Sequence, residues 1–553
     1  MKILILIPAR GGSKGIPQKN SSLLNGHPLI YYAIQNARAV KGSDIYVSTD
    51  DAKIKDIAKV YGVKVLDRSS ETANDCSTID DVVFEELQKA ESGTLKYDII
   101  ITLQPTSPTL KKESLLEALQ QFINSDFDTL ISAKEIRHLF WERNCIGFNP
   151  MYKARVNRQM LESIFEETGA FVICLASNVR ENKSRIGKKI NLFLLLEEES
   201  IDIDSKNDWI LAENILRRKN IAFVTRGDYQ IGMGHIYRSI TLGSRFSNHN
   251  VYYFSNKDSE LGIDKLKSLN HKVNIYENED ELIIQLKEKD IHIVINDILD
   301  TDFSYIEKLK SAGFFVVNFE DTGDGAVYAD LLFNALYEWT GQNKNARFGY
   351  NYECLRDDIY LFPIKNCIHK EIKNILIGFG GTDVNNATQL VLEALDEIVK
   401  DDKTINLVLG IGYKYEEELL KSIAGMRIRK NVMIYKDIPF ISKLLYEADL
   451  IISGNGRMVY EAVSIGTPLI VCSQNERESS HTFAKICPGI KYLGNIKDLD
   501  KQKLVKELTM VNNSYDYRCR MNQHLYAFAT EIRNGINRIS DTLWETYNRR
   551  IQI

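Results

Sequence analysis

The sequence predicts a protein of the α/β class in which most strands are parallel. The first observation behind this prediction is an alternation of short β-rich runs with longer runs whose apolar residues recur at helical spacing. The second is that a strand followed by a glycine-rich loop occurs three times, in residues 3–12, 221–234 and 374–381. The third is the lack of any low-complexity segment or short repeat. Ligands of such folds bind beyond the carboxyl ends of the strands.

The first hundred residues show the alternation most clearly. "ILILI" (3–7) predicts a buried strand, and "HPLIYYAIQNARAV" (27–40) predicts a helix. "DIYVSTD" (44–50) predicts a second strand, and "DAKIKDIAKVYG" (51–62) predicts a helix that Asp50 or Asp51 caps. "YDIIITLQPTSP" (97–108) predicts a third strand that ends in a loop.

The length of 553 residues exceeds what one core usually holds, so two to four domains are expected. The strand–loop pattern restarts twice, which predicts three parts: 1–219, 220–365 and 366–553. A helix, "ATQLVLEALDEIV", follows the third glycine loop. The final residues, 515–550, are predicted to be mainly helical.

Composition excludes several classes of function. The net charge of −5 argues against a broad nucleic-acid surface, although it allows a local basic pocket. No run reaches the ~18 apolar residues of a membrane helix, and "MKILILIPARGG" does not fit a secretory signal. None of the eight Cys stands in C-x-x-C spacing, so no zinc site or redox pair is predicted. We therefore expect a cytoplasmic protein without nucleic-acid or membrane partners.

The first glycine loop, "PARGGSKGIPQKN" (8–20), predicts a binding site for an anion. Its order of residues does not match a Walker P-loop. Glycines nevertheless let backbone N–H groups approach an anion closely, and Arg10, Lys14 and Lys19 add positive charge. Arg can hold a phosphate with two parallel hydrogen bonds. A solvated surface turn is the alternative interpretation of the same residues.

The "IDID" run carries two acidic residues at strand spacing. On a strand, Asp202 and Asp204 would point to the same face. Two neighbouring carboxylates repel unless a cation lies between them, and hard oxygen ligands suit Mg²⁺. The alternative is one helix N-cap and one solvated carboxylate.

Seven short motifs follow one another in residues 3–215: "IPARGGSKGIPQKN", "VSTDD", "ANDCST", "LQPTSP", "NRQ", "ETGAF" and "IDIDSKNDWILAEN". Together they resemble the CMP-sialic acid synthetases, or acylneuraminate cytidylyltransferases. The resemblance implies a Rossmann-like nucleotidyltransferase domain. It also implies that a nonulosonic acid attacks the α-phosphorus of CTP, that pyrophosphate leaves, and that this domain forms a homodimer.

The resemblance also assigns site residues. It implies that CTP is bound by Arg10, Gly12, Lys14, Lys19, Asn20, Arg68 and Thr78. It implies that the sugar acid is faced by Gln104, Arg158 and Gln159, and that Mg²⁺ is held by Asp202 and Asp204. Many members have Asn where this chain has Thr168, near the acyl sugar. That departure concerns which nonulosonic acid is used.

The second glycine loop, "RGDYQIGMGHIYRSITLG" (226–243), resembles the opening of the nucleotide-sugar hydrolases of pseudaminic acid synthesis. "GFGGTD" and "SGNGRMVYEAVSIGTPLIV" continue the match through about residue 485. The resemblance implies a glycosyltransferase-B-type module of two Rossmann-like lobes. It also implies hydrolysis of a UDP-linked 2,4-diacetamido-trideoxyhexose.

His235 is the candidate catalytic residue of this module. Imidazole is the side chain best suited by its chemistry to act as a general base that activates water, and the alternative is a helix-capping or packed histidine. The "GFGG" turn before a helix suits a diphosphate at the helix N-terminus. The implied UDP-sugar-binding residues are Gly234, Arg238, Gly380, Gly381 and Glu461, the last of which would take the ribose hydroxyls.

Two departures leave the function of this module open. "VINDILD" offers Asn296, Asp297 and Ile298 where the hydrolases carry an aromatic residue, and "SQNERESSH" replaces the usual acidic-Asn-Gln ending. We read the chain as a bifunctional enzyme of nonulosonic acid synthesis, a cytidylyltransferase joined to a UDP-sugar hydrolase. The alternatives for the second function are a non-catalytic nucleotide-sugar-binding module and a glycosyltransferase.

Overall fold

The structure is a computed structural model that describes residues 1–12, 15–73, 77–91, 94–229, 231–337, 344–399, 402–436, 438 and 440–551. The chain forms two compact units, Met1–Arg218 and Lys219–Ile553. Within the described ranges, no helix combines the length and the apolar character needed to cross a bilayer.

The first unit contains a seven-stranded sheet in the order β11-β7-β10-β6-β1-β4-β5 and two two-stranded sheets, β2-β3 and β8-β9. Its strands are β1 (Ile3–Pro8), β2 (Leu23–Leu24), β3 (His27–Pro28), β4 (Asp44–Thr49), β5 (Lys64–Asp67), β6 (Ile99–Leu103), β7 (Thr129–Ile136), β8 (Trp141–Arg143), β9 (Phe148–Pro150), β10 (Ile164–Leu175) and β11 (Ile190–Leu194). Its helices are α1 (Ile30–Ala39), α2 (Ala52–Val60), α3 (Ile79–Ala90), α4 (Lys112–Ile123), α5 (Ala176–Asn182) and α6 (Lys206–Leu216). β10 runs antiparallel to β6 and β7, while the other neighbours in this sheet are parallel.

Alternation along β1 explains why helices cover both faces of this sheet. Ile5 and Ile7 belong to a core shared with α1, α2 and α4, whereas Leu4 and Leu6 belong to a core shared with α3 and α5. Successive side chains of a strand point to opposite faces, so the continuous apolar run is buried on both sides. The expected cap is confirmed, because the Ile54 N–H donates to the Asp51 carboxylate over 2.9 Å.

The second unit contains two parallel sheets, and the first of these lobes has the order β14-β13-β12-β15-β16-β17-β18. Its strands are β12 (Asn220–Thr225), β13 (Asn250–Asn256), β14 (Val273–Tyr276), β15 (Ile293–Asp297), β16 (Phe315–Phe319), β17 (Leu331–Asn334) and β18 (Ala346–Phe348). Its helices are α7 (Gly234–Arg245), α8 (Glu260–Ser268), α9 (Glu279–Glu288) and α10 (Phe303–Ser311).

The second lobe has a six-stranded sheet in the order β21-β20-β19-β22-β23-β24. Its strands are β19 (Asn374–Gly378), β20 (Thr404–Leu409), β21 (Val432–Lys436), β22 (Leu450–Ser453), β23 (Leu469–Ser473) and β24 (Ile490–Asn495). The helices that follow in the chain are α11 (Ala387–Ile398), α12 (Glu416–Gly425), α13 (Ile441–Glu447), α14 (Arg457–Ile465), α15 (Glu476–Ser480), α16 (Phe483–Ile486), α17 (Lys501–Asn513), α18 (Tyr515–Arg533) and α19 (Gly535–Ile551). The predicted α/β class, with a Rossmann-like first unit and a two-lobed glycosyltransferase-B-type module, is confirmed.

The last helix returns to the first lobe. Ile539 and Leu543 of α19 join a core that contains Phe223, and the Tyr547 ring lies 5.3 Å from the Phe315 ring. The predicted division assigned all of 366–553 to the second lobe. The apolar stripe of α19 instead completes the core on one face of the first sheet, because an amphipathic helix is most stable where that stripe is buried.

Candidate active sites

The first candidate site is a cavity of about 480 Å³ at the carboxyl ends of β1 and β6. Sheets of this class bind their ligands at this edge. The predicted residues that line the cavity are Arg10, Gly12, Lys19, Asn20, Arg68, Thr78, Gln104, Asp202 and Asp204. Lys14, which was predicted beside them, lies outside the described residues. Residues from distant parts of the first unit therefore meet at one site.

The glycine loop packs directly against the acidic segment. Lys19 Nζ lies 3.1 Å from Asp204 Oδ1 and also donates to the Ile203 carbonyl. A Cβ atom on Gly15 would lie 2.3 Å from the Asp204 carbonyl oxygen, which is closer than any side chain allows. Glycine at this position therefore lets the basic loop and the acidic segment form one wall of the cavity.

The acidic segment is not the predicted strand. Residues 201–204 form a loop, because the Ile203 N–H donates to the Thr106 carbonyl over 2.8 Å instead of pairing in the sheet. Asp202 and Asp204 nevertheless both line the cavity. Partial burial, followed by the neighbouring charge of Asp204, raises the pKa of Asp202. A cation between the two carboxylates would relieve this repulsion.

Two polar side chains of the cavity have capacity for a ligand. Asn20 donates from Nδ2 to the Arg10 carbonyl over 3.1 Å, while its buried Oδ1 has no partner among the described residues. Arg68 donates from Nε to the Ser48 hydroxyl over 3.2 Å, and burial lowers its pKa. Thr78 is already engaged, because its hydroxyl accepts from the Asp81 N–H in a capping box that starts α3.

Arg158 and Gln159 do not line this cavity. They lie in a one-turn 3₁₀ helix, Arg158–Met160, in the segment that joins β9 to β10, and both are exposed. The same segment exposes apolar side chains, with Met160 at 73% and Phe148 in β9 at 66%. The local sequence could not show that these two residues lie outside the lining of the cavity of their own unit.

Sequence reasoning missed Gly169. Its φ is +70°, and a Cβ atom there would lie 3.2 Å from Gln104 Nε2 and 3.3 Å from Asp202 Oδ2. The neighbouring Thr168 is buried and bonds to the Ser132 hydroxyl over 2.9 Å, so it supports the sheet behind the cavity. A glycine inside the β-rich run "TGAFVIC" was the signal that could have found it.

The second unit contains two adjoining cavities of about 300 Å³ each, between its two lobes. Both are lined by Ile231, Gly232, Gly234, Gly380, Gly381 and Arg457. We call the first the histidine cavity, because His235 and His481 line it together with Arg238 and Gln474. We call the other the apolar cavity, which is lined by aliphatic side chains and by Glu461. All the predicted residues of this module therefore line one continuous cleft.

His235 forms a dyad with Asp297. His235 Nδ1 lies 2.5 Å from Asp297 Oδ1, and Arg238 donates to both oxygens of that carboxylate, over 2.5 and 2.7 Å. Burial alone would raise the pKa of Asp297, but the charges of Arg238 and His235 hold it at about 2. A carboxylate on Nδ1 fixes the tautomer and leaves Nε2 as the basic atom.

Arg457 connects the two lobes. From α14 it donates to the carbonyl of Gly234, at the start of α7, over 2.8 Å. Its Nε lies 3.2 Å from the buried Glu353 carboxylate, and it also bonds to the Cys354 carbonyl. Burial raises the pKa of Glu353 to about 7 although Arg457 opposes this shift. The guanidinium therefore stands at the junction of the two cavities.

The predicted diphosphate position at the helix after "GFGG" is wrong in one respect. That helix, α11, begins only at Ala387, and its first N–H groups donate to the Asp383 carboxylate over 2.8 and 2.9 Å. Within the described residues, α7 and α14 have no side-chain cap, and Gly234 and Gly456 at their starts line the histidine cavity. Uncapped helix N-termini are the ones available to an anion.

Asp297, Gln474 and His481 were not assigned a role from the sequence. Asp297 ends β15, and Gln474 directly follows β23. The position of both at the carboxyl ends of parallel strands was the available signal. The motifs "VINDILD" and "SQNERESSH", which depart from the hydrolase pattern, thus supply three lining or positioning residues of the cleft.

Comparison with known proteins points to one family. A family model described as cytidylyltransferase matches residues 4–322. The CMP-N,N'-diacetyllegionaminic acid synthase of Legionella pneumophila is 33% identical over 235 residues, which cover 40% of this chain and 100% of that protein. The N-acylneuraminate cytidylyltransferase B of Danio rerio is 33% identical over 220 residues, 38% of this chain and 51% of that protein.

Two other similarities extend further along this chain. An uncharacterised protein of Methanocaldococcus jannaschii is 31% identical over 273 residues, 46% of this chain and 56% of that protein. The chain thus spans about half the length of the Methanocaldococcus and Danio relatives. The crystal structure of Acinetobacter baumannii MurG covers 58% of this chain and 99% of its own, with 14% identity and a TM-score of 0.42.

Proposed function

Since the chain belongs to the cytidylyltransferase family, we propose that its first unit transfers CMP from CTP to a nonulosonic acid. The anomeric hydroxyl of the sugar acid would attack the α-phosphorus, and pyrophosphate would leave. The observation that carries this proposal is the cavity in which Arg10, Lys19 and Arg68 face two carboxylates. The name of the Legionella relative supports a sialic-like acid as acceptor.

Asp202 and Asp204 fit a Mg²⁺ ion. No group of three or more His, Cys, Asp or Glu that could hold a metal occurs in the described part of the chain. Mg²⁺ usually takes only one or two carboxylates and completes its shell with water and phosphate oxygens. Two adjacent carboxylates that share a cavity with three cationic side chains suit that arrangement. When bound, the ion would neutralise phosphate charge and help to orient the sugar hydroxyl.

A homodimer accounts for the position of Arg158 and Gln159. Both residues are exposed, and neither lines the cavity of its own unit. The segment around them also exposes apolar side chains. Pairing of two copies through this segment would bury those side chains. It would also present Arg158 and Gln159 to the sugar acid bound by the other copy, which agrees with the predicted role.

We propose that the second unit hydrolyses a UDP-linked diacetamido-trideoxyhexose. The dyad of His235 and Asp297 carries this proposal, because Nε2 can take a proton from water that attacks the anomeric carbon while UDP leaves. The apolar cavity would take the uridine, with Glu461 accepting from the ribose hydroxyls. Arg457 and the N-termini of α7 and α14 would hold the diphosphate.

Incubation of the full chain with UDP-sugars discriminates this proposal from its alternatives. Release of free sugar and UDP without an acceptor supports a hydrolase. Turnover only after an acceptor is added supports a glycosyltransferase, and binding without turnover supports a non-catalytic module. The dyad favours the first outcome, since a module that only binds has no need of an oriented base.

A further inference from the structure

The histidine cavity contains two buried hydrogen-bond acceptors without a partner among the described residues, His481 Nε2 and Gln474 Oε1. The two residues are only 6% and 2% exposed. Their other polar atoms are engaged. His481 Nδ1 lies 2.5 Å from the Asn455 carbonyl, and Gln474 Nε2 donates to the Asp383 carboxylate over 2.7 Å. These contacts fix the histidine tautomer and the amide orientation, so each residue offers one acceptor.

The surroundings keep His481 uncharged. Burial, assisted by the charges of Arg477 and Lys485, lowers its pKa to about 4, although the Asn455 carbonyl opposes the shift. The nearby Glu478 carboxylate accepts from the N–H groups of Gln474 and Asn455 over 2.8 and 3.0 Å, so it is engaged by the backbone. His235 differs, because a carboxylate supports its proton. The cavity therefore contains one imidazole suited to act as a base and one suited only to accept.

A buried acceptor without a donor is costly, so a ligand that brings donors is favoured. A diphosphate cannot do this, since its oxygens at neutral pH only accept. A sugar can, through hydroxyl or amide N–H groups. We propose that His481 and Gln474 form an acceptor pair that recognises the sugar of a nucleotide-sugar through these donors. This inference rests on the proposed nucleotide-sugar site, and it assigns the pair to specificity, apart from the proton transfer at His235.

Titration calorimetry on the full chain tests the pair with three probes: UDP, UDP-glucose and UDP-N-acetylglucosamine. We expect His481→Phe to weaken binding of at least one UDP-sugar by about five- to tenfold, the usual effect of one lost hydrogen bond, and to leave UDP within about twofold. Loss for both UDP-sugars indicates a hydroxyl donor, and loss for UDP-N-acetylglucosamine alone indicates the amide N–H. His481→Gln, whose Oε1 can take the place of Nε2, should restore most of the affinity.

His524→Phe is the matched control, because His524 is an exposed histidine of α18. Equal weakening of UDP binding and UDP-sugar binding, or no weakening of either, overturns the proposal.

Nitrogen NMR of the wild type covers the case in which His481→Phe does not fold. The Nε2 resonance of His481 should move when UDP-N-acetylglucosamine is added and stay in place with UDP, and an unmoved resonance overturns the proposal. Binding of UDP-sugars without release of sugar from a UDP-linked diacetamido-trideoxyhexose would remove only the hydrolase proposal. Failure to bind any of these three UDP-sugars would remove both proposals.

Discussion

At the scale of the residue, the cleft of the second unit contains two histidines whose hydrogen-bond partners suit them to different roles. His235 lies against the Asp297 carboxylate, whereas His481 lies against a backbone carbonyl and is buried. A carboxylate stabilises the imidazolium that forms when the ring takes a proton, and burial without a charge disfavours it. Only His235 is therefore equipped to act as a base.

We expect His235→Asn to lower hydrolysis of the UDP-sugar by about 10²–10⁴-fold, the usual weight of general-base catalysis. Binding of UDP should persist, because the apolar cavity and the diphosphate-binding groups are unchanged. Steady-state release of sugar and calorimetric binding of UDP measure the two effects. His524→Asn serves as control. Wild-type hydrolysis in a folded His235→Asn variant would show that His235 is not the base.

Positioning by Asp297 can be tested separately. Asp297→Asn should also lower hydrolysis, because an amide can stabilise the wrong tautomer of His235 and cannot balance an imidazolium. The pH–rate profile of kcat/KM gives a readout that a loss of packing would not change. Its acidic limb, where the general base becomes deprotonated, should shift. Asp264→Asn, at an exposed position of α8, is the control. An unchanged profile would leave Asp297 as a purely structural partner of Arg238.

The burial of His481 predicts a pH dependence of stability. The pKa of His481 is about 4 in the folded protein, whereas the ordinary value of 6.5 applies in the unfolded chain. Between these two pH values the unfolded chain binds a proton that the folded chain does not. The stabilisation is fully present above pH 6.5 and is lost as the pH falls. From pH 7 to pH 5 this residue should cost about 2 kcal/mol, and His481→Phe should remove that cost. Urea-induced unfolding of both proteins at the two pH values measures it, and equal losses would contradict the assigned environment.

At the scale of the element, each strand followed by a glycine loop could be predicted from the sequence. The residues from other parts of the chain that contact each loop could not. "ILILIPARGG" is a local pattern, and its strand and basic loop lie where the sequence predicted. The pairing of His235 with Asp297 spans 62 residues and depends on β12 and β15 lying side by side. Local spacing contains no information on such neighbours. The same limit applies to Asp383, which caps α11 and so excludes a phosphate there.

Gly169 tests how closely β10 must approach the first cavity. Gly169→Ala would place a methyl group against Gln104 and Asp202 at a positive φ, so CMP transfer should fall along with stability. Gly26→Ala is a matched control, because Gly26 also has a positive φ but faces open space. Both variants should lose about 1 kcal/mol to backbone strain, measured by melting. Equal CMP-transfer rates in the two variants would show that the crowding has no functional effect.

At the scale of the whole molecule, each unit has its own core and its own cavity. Among the described residues, those that line the first cavity belong to Met1–Arg218, and those that line the cleft belong to Lys219–Ile553. The alternation of strands and helices predicted this class of architecture. The alternation did not predict that α19 returns to the first lobe. The amphipathic pattern of α19 shows that one face of the helix is buried, but it does not show which lobe that face packs against.

The homodimer predicts complementation between two inactive variants. In the proposed homodimer, Asp204→Asn would damage the cavity, and Arg158→Ala would remove a group that acts on the cavity of the other copy. When the two variants are mixed and allowed to exchange subunits, half of the dimers should contain one intact site, giving about a quarter of wild-type CMP transfer. Light scattering establishes the dimer. Lack of recovery in a mixture that exchanges subunits would place Arg158 outside the site of the other copy.

We propose that one chain contains two separate nucleotide-sugar sites. The most direct measurement follows release of free sugar from a UDP-linked diacetamido-trideoxyhexose, together with CMP transfer from CTP, in the full-length wild type, Asp204→Asn and His235→Asn. We expect the wild type to perform both reactions, Asp204→Asn to lose most CMP transfer only, and His235→Asn to lose most sugar release only. A wild type that releases no sugar, or two variants that each lose both reactions, would show that the chain does not contain two independent active sites.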